Sequence, residues 1–287
     1  MTVLAPAKLN LTLEVLAERQ DGFHEIRSVI QTIDLADRLH FQLGENIKYM
    51  YKLSEWVPEA SLIPKTIRLL QQTTGCNKGV TIEVDKRIPL LSGLGGDSSD
   101  AAAVLCGLNQ LWGLGLSHGD LLELARQLGS DVAFFLYGGT ALLEGRGEIV
   151  TPLPPLPHRW VVLMVPSVPR QPGKTKRLYD SLRDIHYTDG EITRRLVEEI
   201  REGRIFIPSI MFNTFENVAF LLSMELSLYR DHIGREADTD VYLAGSGPAL
   251  FALLEDKVQA EDIFARLRQR RLGVYLAETL SAIEPIT

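Results

Sequence analysis

A stretch reading GLGGDSSDAA, at residues 93–102, has the composition of an anion cradle. Glycines let backbone N–H groups approach a phosphate closely, and a helix starting near Ser98 adds unpaired donors and a partial positive charge. No lysine follows the last glycine, so this is not a phosphate loop of the Gly-Lys-Ser type, and the glycine spacing differs from the dinucleotide-binding fingerprint. The plain alternative is a glycine turn feeding a capped helix; two consecutive serines and an alanine run weigh against it. Lys8, in PAKLNL, lies on or just before a strand, where an inward-facing ammonium needs an anionic partner. Asp131 stands between a helix end and the apolar run 132–136; taken alone, it reads equally well as a surface-turn aspartate. Together the two make a workable phosphoryl-transfer centre. The carboxylate accepts a hydroxyl proton, while the ammonium holds it ionised and offsets charge on the group in transit. In DGFHEI, residues 21–26, Phe23 offers a ring that can stack on a planar group and His24 a ring that can bond its edge. Core packing of Phe23 and solvation of His24 describe the pair as well until more context is added.

The elements that must position these groups follow from periodicity. Residues 9–15 alternate as a strand, and 80–84 form a short β-branched strand after Gly79. Ala101, Leu105, Leu108 and Trp112 give the helix near Ser98 its inner stripe, with Gly113 as its stop. A second helix over 120–128, with Ser117 as a cap and Gly129 as terminator, delivers the chain to Asp131. Four prolines in TPLPPLP, 151–157, suit neither a helix interior nor a central strand, and this is the expected boundary between domains 1–153 and 154–287. Beyond it the pattern predicts a strand at 160–165, helices at 191–202 and 213–226, and two strands around a turn at 245–248. A helix at 259–270 and a strand at 273–278 close the chain. Strands and helices in this order predict an α+β fold with helices on one face of an antiparallel sheet.

Composition limits the partners. With 287 residues, 45% of them apolar, the chain can bury two sizeable cores. A net charge of -7 argues against nucleic acid as a partner, since that needs a surplus of Lys and Arg facing phosphates. The cluster Arg266, Arg268, Arg270 and Arg271 accordingly reads as a solvated helix end. No apolar run is long enough to span a bilayer and the start lacks a leader pattern, so no membrane partner is expected and the expected location is cytoplasmic. Cys76 and Cys106 are too few for a disulfide framework, and Cys106 reads as a buried thiol. Oligomeric state and metal ligands are not legible.

These blocks occur in order and nearly end to end at the spacing of one family: the chain resembles the GHMP kinases. PAKLNL and DGFHEI resemble its first block and GLGGDSSDAA its phosphate loop. GSDVAFFLYGGTALLEGRGE, 129–148, resembles the block with the catalytic aspartate, and AGSGPALFALLE, 244–255, the third glycine loop. The first and third of these are similar to those of members acting on a cytidine diphosphate-linked alcohol. The resemblance implies an N-terminal ribosomal-protein-like α/β domain and a C-terminal ferredoxin-like domain, with the site between them. It implies ATP as phosphoryl donor with Mg²⁺, Lys8 and Asp131 as the catalytic pair, and Asn10 beside the substrate. Phe23 and His24 would meet the cytosine, and Tyr179 its other face. The nucleotide would be held by Pro89, Leu90, Leu91, Ser92, Gly93, Leu94, Gly95, Gly96, Asp97, Ser98 and Ser99. A homoserine- or mevalonate-type kinase, or a nucleotide-binding protein without turnover, would share the loop but would not need DGFHEI. Asp97 stands where the family has glycine, Phe23 where it has tyrosine, and Ser61-Leu62-Ile63 where it has Asn-Leu-Val. Asp97 either points into the cradle, repelling a triphosphate, or outward at the helix start; the helix dipole favours the second.

Overall fold

A computed structural model describes residues 1–168, 173–204, 208–269 and 273–282. The first half contains β1 (Thr2–Asn10), β2 (Thr12–Glu18), the long β3 (His24–Gly44), β4 (Ile47–Tyr51), α1 (Leu62–Thr74) and β5 (Gly79–Asp85). Next come α2 (Gly96–Trp112), α3 (His118–Leu128) and α4 (Val132–Tyr137), then β6 (Thr140–Glu144) and β7 (Ile149–Pro152). The second half contains β8 (Trp160–Val165), α5 (Lys174–Ser181), α6 (Glu191–Arg201), β9 (Phe212–Asn213), α7 (Glu216–Leu222) and α8 (Met224–Ala237). It ends with β10 (Tyr242–Leu243), β11 (Leu250–Leu254), α9 (Lys257–Arg268) and β12 (Gly273–Glu278).

Two sheets organise the chain. Strand β3 is the spine of an eight-stranded sheet and pairs antiparallel with β1, β2, β5 and β6 along its length. Pro6 has no N–H to give, and between Pro6 and Ala7 the β1 register shifts against β3. Past that bulge, the two-residue period puts Lys8 and Asn10 on one face. Helices α1 to α4 cover the sheet over a core that includes Phe41, Phe134 and Leu105. The second sheet, in order β10-β11-β8-β12, is antiparallel and packs with α7 to α9 around Leu243, Leu250 and Ile263. This is the α+β architecture expected. The halves are stitched together by the parallel pair β2–β9 and by the bridge Ile33 to Thr279.

Three expectations change. The strand over 9–15 is two strands, broken at Leu11, although Leu9, Leu11 and Leu13 all stay buried and the hydropathy pattern runs on unbroken. The helix over 213–226 is β9 followed by α7 and α8. Ser223 is extended between the two helices, and its hydroxyl caps α8 by accepting the Leu226 N–H. Cys106 is half-buried rather than enclosed, and burial pushes its thiol up to about 11. Arg270 and Arg271 lie outside the described residues.

Candidate active site

Between the two sheets opens a cleft of about 1420 Å³ lined by Lys8, Asn10, Asp131, Tyr179, the 89–98 loop and the 245–248 turn. Lys8 is only 5% exposed. Its Nζ donates to Asn10 Oδ1 at 2.6 Å and lies 3.5 Å from Asp131 Oδ2. Asn10 is anchored from behind by its Nδ2, which donates to Ser28 Oγ at 2.9 Å. Strand pairing fixes the lysine along the sheet, and its N–H donates to Leu94 O, tying β1 to the glycine loop. Asp131 occupies the position before α4 but makes no capping bond, so its carboxylate faces the cleft instead of its own helix. The helix therefore positions the acid without consuming it. Gly245 has φ +54°, and a Cβ there would stand 3.2 Å from both Lys8 Nζ and Asn10 Oδ1. A side chain would crowd the reacting groups.

The cradle is a helix start. Gly95, with φ 75°, precedes α2 without any side-chain cap, so the first N–H groups of α2 face the cleft unclaimed by a capping side chain. A Cβ on Gly95 would lie 2.9 Å from the Phe135 ring and 3.0 Å from Lys8 Cγ. Ser99 Oγ, in the first turn, is buried and has no partner among the described residues. Ser92 holds the loop at both sides: its hydroxyl donates to Pro89 O, and its carbonyl accepts the Ala249 N–H.

Asp97 stands in the cleft wall, but its carboxylate turns to the start of α1. Its Oδ1 accepts the N–H of Leu62, the first residue of α1, at 3.0 Å. Ser61 caps the same helix end through Ile63 N–H at 3.2 Å. Both departures from the family pattern thus serve the start of α1. Burial pushes the Asp97 carboxyl up, while the Leu62 N–H and the Lys86 ammonium pull it back.

A buried charge cluster underneath was not read from the sequence. Lys86 donates to Asp37 and, at 2.7 Å, to Asp100, and all three side chains are almost fully enclosed. The second oxygen of Asp37 accepts the N–H groups of Arg87 and Ile88, so the cluster holds the strand end that leads into the loop. Burial drives the Asp100 carboxyl well up, only partly countered by Lys86.

The aromatic residues gather at the other end. Phe23 is 52% exposed, with the Arg146 guanidinium 4.6 Å from its ring. His24 and Tyr179 lie in the same cleft but stack on one another, with centroids 4.5 Å apart and planes 24° apart, so one Tyr179 face is taken by His24. Tyr179 also meets Phe215 edge-on at 4.8 Å. Burial lowers the His24 imidazole and keeps it neutral near physiological pH, against the pull of Glu18 and Asp180. Arg146, Lys174 and Phe215 were missed; only their packing shows them. No described group of three or more His, Cys, Asp or Glu side chains could hold a metal ion, and no described helix is long and apolar enough to cross a membrane.

Residues 61–139 match the family model described as the GHMP kinases N terminal domain. A 4-diphosphocytidyl-2-C-methyl-D-erythritol kinase of Dehalococcoides mccartyi is 47% identical over 284 residues, which is 99% of this chain and 100% of that protein. The crystal structure of a 4-(cytidine 5'-diphospho)-2C-methyl-D-erythritol kinase superposes with a TM-score of 0.81 at 32% identity, covering 97% of this chain and 99% of the other. A homoserine kinase from Cytophaga hutchinsonii shares the fold, with a TM-score of 0.73 at 20% identity over 99% and 96% of the two chains.

Proposed function

The chain belongs to the GHMP kinase family, and from that premise we propose that it moves the γ-phosphoryl group of ATP onto the 2-hydroxyl of 4-diphosphocytidyl-2-C-methyl-D-erythritol, a step of non-mevalonate isoprenoid precursor synthesis. The chain is an ATP-dependent small-molecule kinase of two-domain α+β fold; we place the division at 153/154. One observation carries the reading. A buried lysine joins a carboxylate and an amide at the centre of a cleft that has an open helix N-terminus on one wall and aromatic rings, the exposed Phe23 among them, on another.

In this mechanism Asp131 takes the proton from the substrate hydroxyl, whose oxygen forms the new bond to phosphorus as the bond to the ADP oxygen breaks. Its carboxylate makes no hydrogen bond among the described residues, so it is free to accept. Lys8 pairs with Asp131 and offsets charge on the phosphoryl oxygens, and Asn10 holds the Lys8 ammonium in place. The open N–H groups of α2, with Gly93 to Ser99, cradle the nucleotide phosphates. Mg²⁺ bound with ATP would neutralise part of the triphosphate charge. The buried, unpartnered Ser99 Oγ in the first turn of α2 is the protein oxygen that would help hold the ion. Phe23 and Tyr179 take the faces of the cytosine and neutral His24 its edge, once the base replaces the His24–Tyr179 stack. The relatives' printed substrate and the aromatic wall both support a cytidine group.

An ADP-release assay with the diphosphocytidyl alcohol, homoserine and mevalonate tests this. Turnover should require the first, and Asp131→Asn should lower it by about a hundredfold or more while leaving nucleotide binding intact. Preference for either small alcohol would move the chain elsewhere in the family, and absence of turnover with all three would leave a nucleotide-binding protein.

A further inference from the structure

Lys174 opens α5, the helix that also carries Tyr179, and it forms part of the cleft wall. Its Nζ is shut off from solvent and has no partner among the described residues. The nearest landmark is Gly247, on which an added Cβ would stand 3.1 Å from that Nζ. The turn bearing Gly247 is itself well fixed. Gly247 N–H donates to Ala244 O at 2.7 Å, Gly93 of the cradle packs on the Gly247 backbone, and Ser246 Oγ lies 2.9 Å from Thr175 Oγ1. At the other end of the same turn, Gly245 abuts Lys8. Two ammonium groups therefore flank one glycine turn, and only Lys8 has a carboxylate.

A buried ammonium without a partner is costly, and no described side chain repays it. Burial alone pushes Lys174 down to about 8, with no carboxylate near enough to oppose the shift. Acids outnumber bases by 37 to 30 in this chain, so a missing partner is not for want of carboxylates. Five positions along α5 separate Lys174 from Tyr179, an axial rise of about 7.5 Å. Both side chains line the one cleft, and the ammonium stands beside Gly247, on whose backbone Gly93 of the cradle packs. We infer that Lys174 is a phosphate-binding residue of the cleft, its counter-charge arriving with the ligand as the diphosphate of the cytidine-linked alcohol or a phosphate of the nucleotide. This rests on the reading above that phosphate-bearing substrates meet here.

Lys174→Met keeps the length and removes the charge. Calorimetric binding of CDP and of ADP, KM for both substrates, and Tm are compared with the wild-type protein. The expected result is a dissociation constant raised about tenfold or more for at least one of the two ligands, with Tm unchanged or higher. Loss confined to CDP assigns the contact to the substrate diphosphate, and loss confined to ADP assigns it to the nucleotide. Unchanged affinity for both overturns the inference, as does weakening of both together with a fall in Tm, which would mark a structural lysine. Wild-type turnover of the diphosphocytidyl alcohol is measured in parallel. If it is absent, the substrate reading fails and the ADP arm still decides the role of Lys174.

Discussion

Asp97 puts a carboxylate where a phosphate loop has least use for one, and the structure says what its removal should do. Its Oδ1 is committed to Leu62 N–H at 3.0 Å, a bond at the start of α1, while the residue itself sits in the first turn of α2. A side-chain acceptor at a helix start contributes about 1 kcal/mol. Asp97→Gly should therefore cost about 1 kcal/mol, or a Tm loss of about 2–4 °C for a chain of this size. Asp97→Asn keeps the acceptor without the charge. The folded carboxyl is raised, so the fold favours its protonated form; that contribution is full below the ordinary carboxylate range and is lost as pH rises through the raised value. At pH 7 Asn should then match or slightly exceed wild type, and the gap should close as pH falls to about 4. Because the charge faces α1, ATP affinity should stay within about twofold in both variants from 50 to 500 mM salt, a range over which screening lengths shrink severalfold. Thermal melts and calorimetric ATP titrations across that series make the test. A large gain in ATP affinity in Asp97→Gly that fades with salt would refute the outward orientation and favour a naturally weakened kinase.

Lys8→Ala should depress turnover as Asp131→Asn does, and the double variant should lose less than the product of the two effects, because the pair acts as a unit; full multiplicativity in kcat would separate them. Phe23→Ala should weaken the cytidine-bearing substrate by about 1–3 kcal/mol with ATP affinity unmoved; equal weakening of both ligands would make the ring structural. Asp37→Ala strips the buried Lys86 of one carboxylate and leaves the Arg87 and Ile88 N–H groups without it, so chemical denaturation should show a loss of about 3–5 kcal/mol. A loss under about 1 kcal/mol would mean that the cluster does not hold the loop. The Lys174 ammonium is depressed to about 8, so its favourable contribution is present above about 10.5 and lost as pH falls through 8. The Tm advantage of Lys174→Met should therefore be largest below pH 8 and vanish towards pH 10.5, and a pH-independent difference would contradict this.

What the sequence disclosed and what it hid divide along the range of the interactions. The cradle was legible because a glycine run and a helix start are neighbours in the chain, and their chemistry needs nothing from elsewhere. Lys8 was legible as an inward ammonium on a strand, but Asn10 came only with the family resemblance, although the two stand two positions apart on one strand face and bond to each other. The break at Leu11 was hidden because the alternation of apolar and polar residues runs straight through it, and the break at Ser223 because a cap needs only one hydroxyl inside an otherwise apolar stretch. The Lys86 cluster reaches 49 residues back to Asp37 and 14 forward to Asp100, and no local pattern marks any member. Asp97 is the informative case. Its type and position were plain, yet of the two orientations weighed for it one would repel ATP and the other would leave ATP binding alone. The choice rested on Leu62, 35 residues upstream, whose N–H becomes a neighbour only after α1 packs against α2. A side chain in a catalytic loop is thus set by the helix end it must also satisfy. Substitutions at 97 should accordingly be judged together with the cap at 61, because Ser61 and Asp97 share the donors of one turn, and residues in one hydrogen-bond network do not contribute additively.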